Sequence, residues 1–397
     1  MNNKIRILST VGIYHAFNDG AVVIIPILFP VFKVLFDLSY TQIGIITGGG
    51  LLIMLITQIS IGFLSDKKNR RMLLSLGVLF YSASLLLLTQ VKGFLTLLVF
   101  LFLLRFSAAF FHPVGIGWIS KIFKKEKLDW AMGIQSALGD FGAFIGILTT
   151  AFIVDFKDWS YPFYIWAIIG VICLFIGLSL TRGVKEEINN NENNKKKKLP
   201  FKERLIQEKE ILKTVKFFIP GLIIGGSAWG IVVTYLPLLL AERTVLSLSL
   251  IGVIVSIWIG IGTIVCFLYG RIISFFGRKK VIIFSYIGMG LMGFSLSIFT
   301  EIYILIIIMV ILGLSTFLTY PAIFSYVSEK THESFEGKVF GYLFTVQLGG
   351  AIILLFISGV TSDIWGIWTP FFILGILSSL IAILFIGNHK KLTPLKH

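Results

Sequence analysis

Residues 62–71 read Gly62-Phe63-Leu64-Ser65-Asp66-Lys67-Lys68-Asn69-Arg70-Arg71, a short basic turn between two long apolar runs. A second stretch, Gly270-Arg271-Ile272-Ile273-Ser274-Phe275-Phe276-Gly277-Arg278-Lys279, follows 208 residues later in the same setting. The offset lays Gly62 on Gly270, Arg70 on Arg278 and Arg71 on Lys279. Working outward, it also lays Leu38-Ser39 on Leu246-Ser247, Gly44 on Gly252 and His112-Pro113 on Tyr320-Pro321. Gly133 falls on Gly341, Gly142-Ala143 on Gly350-Ala351, Asp155 on Asp363 and Pro162-Phe163 on Pro370-Phe371. One offset that serves a whole half of the chain describes a duplicated unit. Internal repeats of apolar helices are typical of secondary transporters.

The apolar runs flanking these turns are long. Twelve segments of about 20 mostly apolar residues, enough to cross a bilayer, are expected near 8–33, 41–64, 72–91, 94–120, 131–154, 161–181, 215–240, 249–270, 281–299, 302–327, 339–362 and 367–387. The runs are continuous rather than alternating, so they read as helices and not strands. The chain has 397 residues, 56% hydrophobic and only 14% charged, with mean hydropathy +0.92. A soluble protein needs roughly a quarter charged residues, which excludes a soluble enzyme. The expected organisation is an N-terminal six-helix bundle (1–181), a cytoplasmic linker (182–216) and a C-terminal bundle with a short tail (217–397).

Thirty-five basic against 20 acidic residues give a formal charge of +15. With both termini on one side, only Lys33, Lys92, Lys157 and Arg243 fall on the other, and Arg105 lies within a span. The remaining 30 of 35 share the side of the termini. Cytoplasmic loops collect Lys and Arg, so both termini are expected in the cytoplasm. The charge thus reports topology in a cell membrane and not a nucleic-acid partner. Trp159, Tyr161, Trp365 and Trp368 fall at the outer interface. The linker carries an Asn-rich run and Lys195–Lys198, and its second part, Phe201 to Lys216, reads as a surface helix attracted to anionic lipid. Met1 to Thr10 is signal-like, but the run that follows holds His15, Asn18 and Asp19 and reads as a retained first span. Cys173 and Cys266 form no disulfide framework and no metal motif.

The 62–71 turn resembles the loop signature of the major facilitator superfamily, G-x-x-x-D-x-x-G-R-R, with Asn69 in place of the second glycine. The second copy keeps Gly277 but has Ser274 in place of the acid. His15-Ala16-Phe17-Asn18-Asp19 in span 1 and Phe111-His112-Pro113 in span 4 are similar to the fosmidomycin-resistance-type branch. The resemblance implies an all-helical fold of two pseudo-symmetric six-helix bundles, with spans 1, 4, 7 and 10 lining a cavity. It also implies a conformational latch built on Gly62, Asp66, Arg70 and Arg71, echoed by Gly270, Gly277 and Arg278. Plain anchoring of the topology is the alternative for the basic residues.

Ionisable groups inside a span are costly and usually face a cavity. Five stand out: His15, Asp19, Arg105, His112 and Asp140, all in the first half. His15 and Asp19 share a helix face at a spacing of four, with Asn18 adjacent. Asp19 is the leading proton-coupling carboxylate, with Arg105, Asp140 and His112 as its expected partners. Arg105 would otherwise hold an anionic substrate group, or form a fixed pair with Asp19. The expected substrate contacts are His15, Asn18, Arg105, His112, Trp229, Tyr235, Tyr320 and Gln347. No cofactor is expected. The proton motive force would drive the cycle, with sodium at Asp19 and Asn18 as an alternative. The expected activity is proton-coupled export of small molecules, anionic ones among them, by a monomer. Coupled uptake of an organic anion or nutrient is the runner-up. A membrane enzyme or sensor is remote, because no catalytic constellation is present.

Overall fold

The structure, a computed structural model, describes residues 2–65, 67–123, 125–184, 209, 215–329 and 336–388. Among these, the side chains of 125, 126, 129, 320, 328, 329 and 336–340 are not described. Asp66 and most of the 182–216 segment, with its expected surface helix, therefore lie outside the described residues.

Among the described residues, twelve helical spans are long and apolar enough to cross a membrane. They are Asn3–Leu35, Tyr40–Ser65, Arg70–Leu88, Phe94–Ile122, Trp130–Phe156, Tyr161–Leu180, Ile219–Arg243, Leu248–Phe276, Arg278–Ile298, Ile302–Val327, Gly341–Trp365 and Thr369–Gly387. These are spans 1–12. Only backbone bonded within a helix tolerates lipid, so apolar runs of this length fold this way. An even number of spans returns the chain to the face where it began. We refer to that side as the terminal face and to the other as the far face.

Two spans expected as single helices are broken. Span 1 consists of Asn3–Val22 and Ile24–Leu35, and span 4 of Phe94–Ala108 and Phe111–Ile122. Proline cannot donate to the carbonyl four residues back and crowds it. Pro26 disables Val22 and Pro113 disables Ala109, which are the positions of the two breaks. Pro321, the repeat partner of Pro113, lies inside an unbroken helix.

The two loop copies end in different ways. Asn69 is extended and its side chain accepts from Met72 N at 3.0 Å, capping span 3. Gly277 joins spans 8 and 9 alone with φ +79, a conformation that favours glycine. The replacement of one by the other exchanges a side-chain cap for a backbone one.

Within each half, span 1 packs on span 5 and span 7 packs on span 11. The halves meet along spans 2 and 11, along spans 5 and 8, and where the second helix of span 1 meets span 7. Among the described residues, the hydrogen bonds that cross between halves all lie at the far face.

Candidate functional site

The first helix of span 1 carries His15, Asn18 and Asp19 just before its break. Span 5 lies close enough for Gly139 to face them directly. A methyl at position 139 would stand 2.7 Å from His15 Nε2 and 2.8 Å from Asp19 Oδ2. His15 and Asn18 are buried, each 6% exposed. His15 Nε2 lies 3.1 Å from Asp19 Oδ2, and Asn18 Nδ2 donates to Asp19 Oδ1 at 3.0 Å. The Tyr81 hydroxyl donates to the Asn18 carbonyl at 3.1 Å.

The other imidazole nitrogen fixes the protonation logic. His15 Nδ1 is 2.7 Å from the Gln135 carbonyl oxygen. A carbonyl only accepts, so Nδ1 carries a hydrogen. A neutral ring would then present a bare lone pair to Asp19 Oδ2. The 3.1 Å contact is attractive only if a second proton lies between the two groups. His15 and Asp19 therefore share a proton, as imidazolium with carboxylate or as imidazole with carboxylic acid.

The break in span 4 delivers the next two rings. Phe111 stacks on His15 with centroids 4.4 Å apart, and His112 meets His15 edge-on at 5.4 Å. One ligand atom each from His15, Asp19 and His112 lies within 4.8 Å of the others. Two imidazoles and a carboxylate at that spacing suit a proton, and by donor type also a transition-metal ion.

Arg105 lies further along span 4, toward the far face, and is 7% exposed. Its stem crosses span 2 at Gly50, where a methyl would come within 3.0 Å of Arg105 Cγ. Its Nε is buried with no hydrogen-bond partner. Among the described residues the ion pair of Asp19 is with His15, so the fixed Asp19–Arg105 pair is not formed. Asp140 is half-buried on span 5, within electrostatic reach of Asp19 and His15 on one side and of Cys266 on span 8 on the other.

The remaining expected contacts disperse. Trp229 is half-buried with its ring 6.3 Å from that of Trp258. Gln347 Oε1 is buried without a partner. Tyr235 is fully buried, and its hydroxyl donates to the Leu355 carbonyl at 2.7 Å. That places Tyr235 in the packing of spans 7 and 11, away from the polar cluster. The side chain of Tyr320 lies outside the described residues.

The loop residues divide as well. Arg71 Nε donates to Thr181 Oγ1 at 2.9 Å, and its Nη2 donates to the Leu178 carbonyl at 2.9 Å. Both partners belong to the C-terminal end of span 6, in the same half. In this state these bonds anchor span 3 to span 6 within one half. Arg6 caps the same helix end through the Leu180 and Arg182 carbonyls. Arg70 is buried at the start of span 3. Gly62 faces Pro113, while Gly270 stands in open space. Gly277 and Arg278 form the turn into span 9.

Sequence reasoning missed Gln135 and Tyr81, and noted Phe111 only as part of the Phe111-His112-Pro113 motif. Gln135 acts through its backbone carbonyl, which no residue type announces. Tyr81 is an aromatic in an apolar run, indistinguishable by sequence from a packing residue.

The family model of the Major Facilitator Superfamily matches residues 11–354 and 267–396. The transporter YfnC of Bacillus subtilis is 30% identical over 148 residues, 37% of this chain and 36% of that protein. The fosmidomycin resistance protein of Escherichia coli is 27% identical over 148 residues, again 37% and 36%. The alignments thus span about a third of the length of these two relatives. The transporter MJ1560 of Methanocaldococcus jannaschii is 24% identical over 352 residues, 86% of this chain and 88% of that protein. Among solved structures, the nucleoside transporter NupG superposes with TM-score 0.79 at 14% identity, covering 98% of this chain and all of that one. A family model that covers nearly the whole chain, together with twelve spans in two repeated bundles, shows that this protein belongs to the major facilitator superfamily.

Proposed function

We propose that the chain is a proton-coupled transporter of small anionic molecules that works by alternating access. In this reading Asp19 and His15 hold the driving proton and Arg105 holds the anionic group of the substrate. The observation that carries it is the His15 ring held between the Gln135 carbonyl at 2.7 Å and Asp19 Oδ2 at 3.1 Å, with the buried Arg105 Nε left without a hydrogen bond among the described residues. A charged group inside a span costs roughly 3 kcal/mol, and Arg105 lies within electrostatic reach of Asp19 without forming an ion pair with it. Such a group persists where a ligand completes it, and guanidinium takes carboxylate or phosphate in a bidentate fork.

The coupling follows from cooperation between the two charges. With substrate on Arg105, the added negative charge near Asp19 favours the protonated pair. With the site empty, the proton leaves more readily, so anion and proton travel together. Asp140 and His112 flank the pair and give the proton a path toward the cavity. His15, Asn18, His112, Trp229 and Gln347 complete the substrate contacts.

An anion and a proton that bind together move together, so an inward proton gradient drives uptake by this scheme. Export, the direction that similarity to the fosmidomycin resistance protein favours, requires a substrate that displaces the proton. The basic-residue asymmetry supports cytoplasmic termini in a cell membrane. The far face is then the outer face. The test uses the purified protein in sealed liposomes. A thermal-shift screen of phosphonates, organic acids and cationic drugs first identifies a ligand. Its flux is then followed under an imposed proton gradient, with sodium absent or present. Flux against the ligand gradient that collapses with a protonophore and ignores sodium supports the reading. Stabilisation by cations alone, or flux driven by sodium alone, overturns it.

A further inference from the structure

The far-face contacts between the halves follow the repeat. Asp363, at the end of span 11, accepts from the backbone N–H of Tyr40 at 2.9 Å and of Thr41 at 2.8 Å. Those two residues open span 2. Asp155, at the end of span 5, accepts from the N–H of Ser249 at 3.2 Å, in the first turn of span 8. Asp155 and Thr41 are the repeat partners of Asp363 and Ser249. Each half therefore ends one span on an aspartate that caps a helix of the other half.

The first N–H groups of a helix have no partner within it. Local caps do not satisfy these ones. Ser39 Oγ takes the N–H of Gln42 at 3.1 Å, and Ser247 Oγ takes that of Leu250 at 3.3 Å. Both serines serve the third residue of their helix and leave the earlier donors to the aspartate opposite. The positive end of the helix dipole adds attraction for a carboxylate. Behind each cap the backbones touch through glycine. A methyl at Gly44 would lie 2.9 Å from the Leu355 carbonyl, and one at Gly252 would collide with Ala151.

We propose that Asp155 and Asp363 are a paired gate, one from each half, that holds the far face closed and must release both caps for that face to open. The two members are unequal. Asp363 binds two donors, and its side of the gate is reinforced by the Tyr40 hydroxyl, which bonds to Glu242 on span 7. Asp155 binds one.

The test needs no substrate. Cys173→Ser and Cys266→Ser remove the native thiols. Spin labels at Lys92→Cys and Glu301→Cys, exposed on the far face of opposite halves, report the gap in nanodiscs by electron–electron distance measurement. A second pair, Lys92→Cys with Lys157→Cys, lies within one half and checks that it remains folded. Asp363→Ala should raise the population at longer distance about threefold to thirtyfold, the usual range for a lost helix cap, and Asp155→Ala should raise it less. The Asn variants keep a capping acceptor and should fall between wild type and Ala. The double Ala variant should open most. An unchanged cross-half distribution in the double variant, with the within-half distance intact, overturns the gate. So does an equal effect of Asn and Ala at both sites.

Discussion

Span 1 and span 7 hold equivalent places in the two halves, yet they differ in the side chains they carry at matched positions. At the repeat offset, His15 becomes Ile223, Asn18 becomes Gly226 and Asp19 becomes Ser227. The Ser227 hydroxyl turns back to its own helix and donates to the Ile223 carbonyl at 2.6 Å. Spans 2 and 4 differ from spans 8 and 10 in a complementary way. In the first half a long side chain, Arg105, crosses over Gly50. In the second half the sizes are exchanged: Trp258 replaces Gly50 and Gly313 replaces Arg105. A methyl at Gly313 would come within 2.7 Å of the Trp258 carbonyl. The same helix pair is bridged by a charged side chain in one half and meets backbone to backbone in the other, where the indole packs further along on Thr316 and Phe317.

The largest expected effect separates the two copies of span 1. Asp19→Asn removes the only carboxylate that shares a proton with His15 while keeping the shape and the bond from Asn18. It should abolish ligand accumulation driven by the proton gradient and leave ligand exchange without a gradient intact. Ser227→Ala, the matched change in span 7, should leave both at wild-type levels. Liposome flux with and without a gradient measures this. Full coupling in Asp19→Asn would remove the basis for placing function in the first half.

Next comes the exchanged pair. Arg105→Ala should weaken ligand binding by about tenfold to a hundredfold, the equivalent of one charge-assisted hydrogen bond. The loss should be greater for anionic than for neutral ligands of similar size. Trp258→Ala should leave affinity and charge preference unchanged but lower thermal stability by about 3 kcal/mol through the cavity it opens. Its Nε1 donor to Thr316 Oγ1, 2.9 Å away, is lost as well. Ligand titration and thermal unfolding on both variants separate a binding residue from a packing one. Equal losses of affinity would mean that the two halves share the site.

A third comparison concerns the glycines where span 5 meets span 1 and span 11 meets span 7. A methyl at Gly142 would run into the Ala16 carbonyl, whereas one at its partner Gly350 would meet the Ile223 side chain at 2.6 Å. Backbone yields less than a side chain does. Gly142→Ala should therefore cost about 1–3 kcal/mol of stability and disturb the His15–Asp19 contact one turn away. Gly350→Ala should cost less, because its clash is with Ile223 side-chain atoms at 2.6–2.9 Å and not with backbone. Thermal unfolding ranks the two, and the reverse order would put the tighter backbone contact in the second half.

These contrasts also mark how far the sequence could be read. The twelve spans were legible because lipid leaves apolar segments of that length one option. The repeat was legible because Gly62, Pro113 and Asp155 recur at one offset. Of the five ionisable residues that the sequence places within spans, His15, Asp19 and His112 lie within reach of one another, and Asp140 stands within electrostatic reach of the first two. Less legible was which partner each would choose. Whether Asp19 pairs with Arg105 or His15 depends on how far span 5 presses onto span 1, and that is set by Gly139 and the Gln135 carbonyl. The breaks at Val23 and Ala109 follow from Pro26 and Pro113, yet Pro321 produces none, so proline alone did not decide them. Tyr235 is a polar aromatic in an apolar span, which by sequence reads as a substrate contact or as core, and its hydroxyl donates to the Leu355 carbonyl. That carbonyl comes from a helix 120 residues away in sequence.

The smallest expected effect lies where the halves agree. Gly133 on span 5 and Gly341 on span 11 are repeat partners near the terminal face. Both are exposed, and a methyl at either meets nothing within 4 Å. Alanine is the better helix former by up to about 1 kcal/mol, so Gly133→Ala and Gly341→Ala should each raise thermal stability slightly. Transport should respond in the opposite direction. When the far face opens, the terminal face has to close, and the helix ends that are now apart must approach as Gly44 and Gly252 already do across the far face. A methyl that is harmless in the present state would then stand in the closing gap. The expected outcome is a small gain in thermal stability with a slower transport cycle, measured by unfolding and by liposome flux on the same preparations. A gain in both would show that the terminal face closes without bringing these positions together, and that the two faces do not use glycine alike.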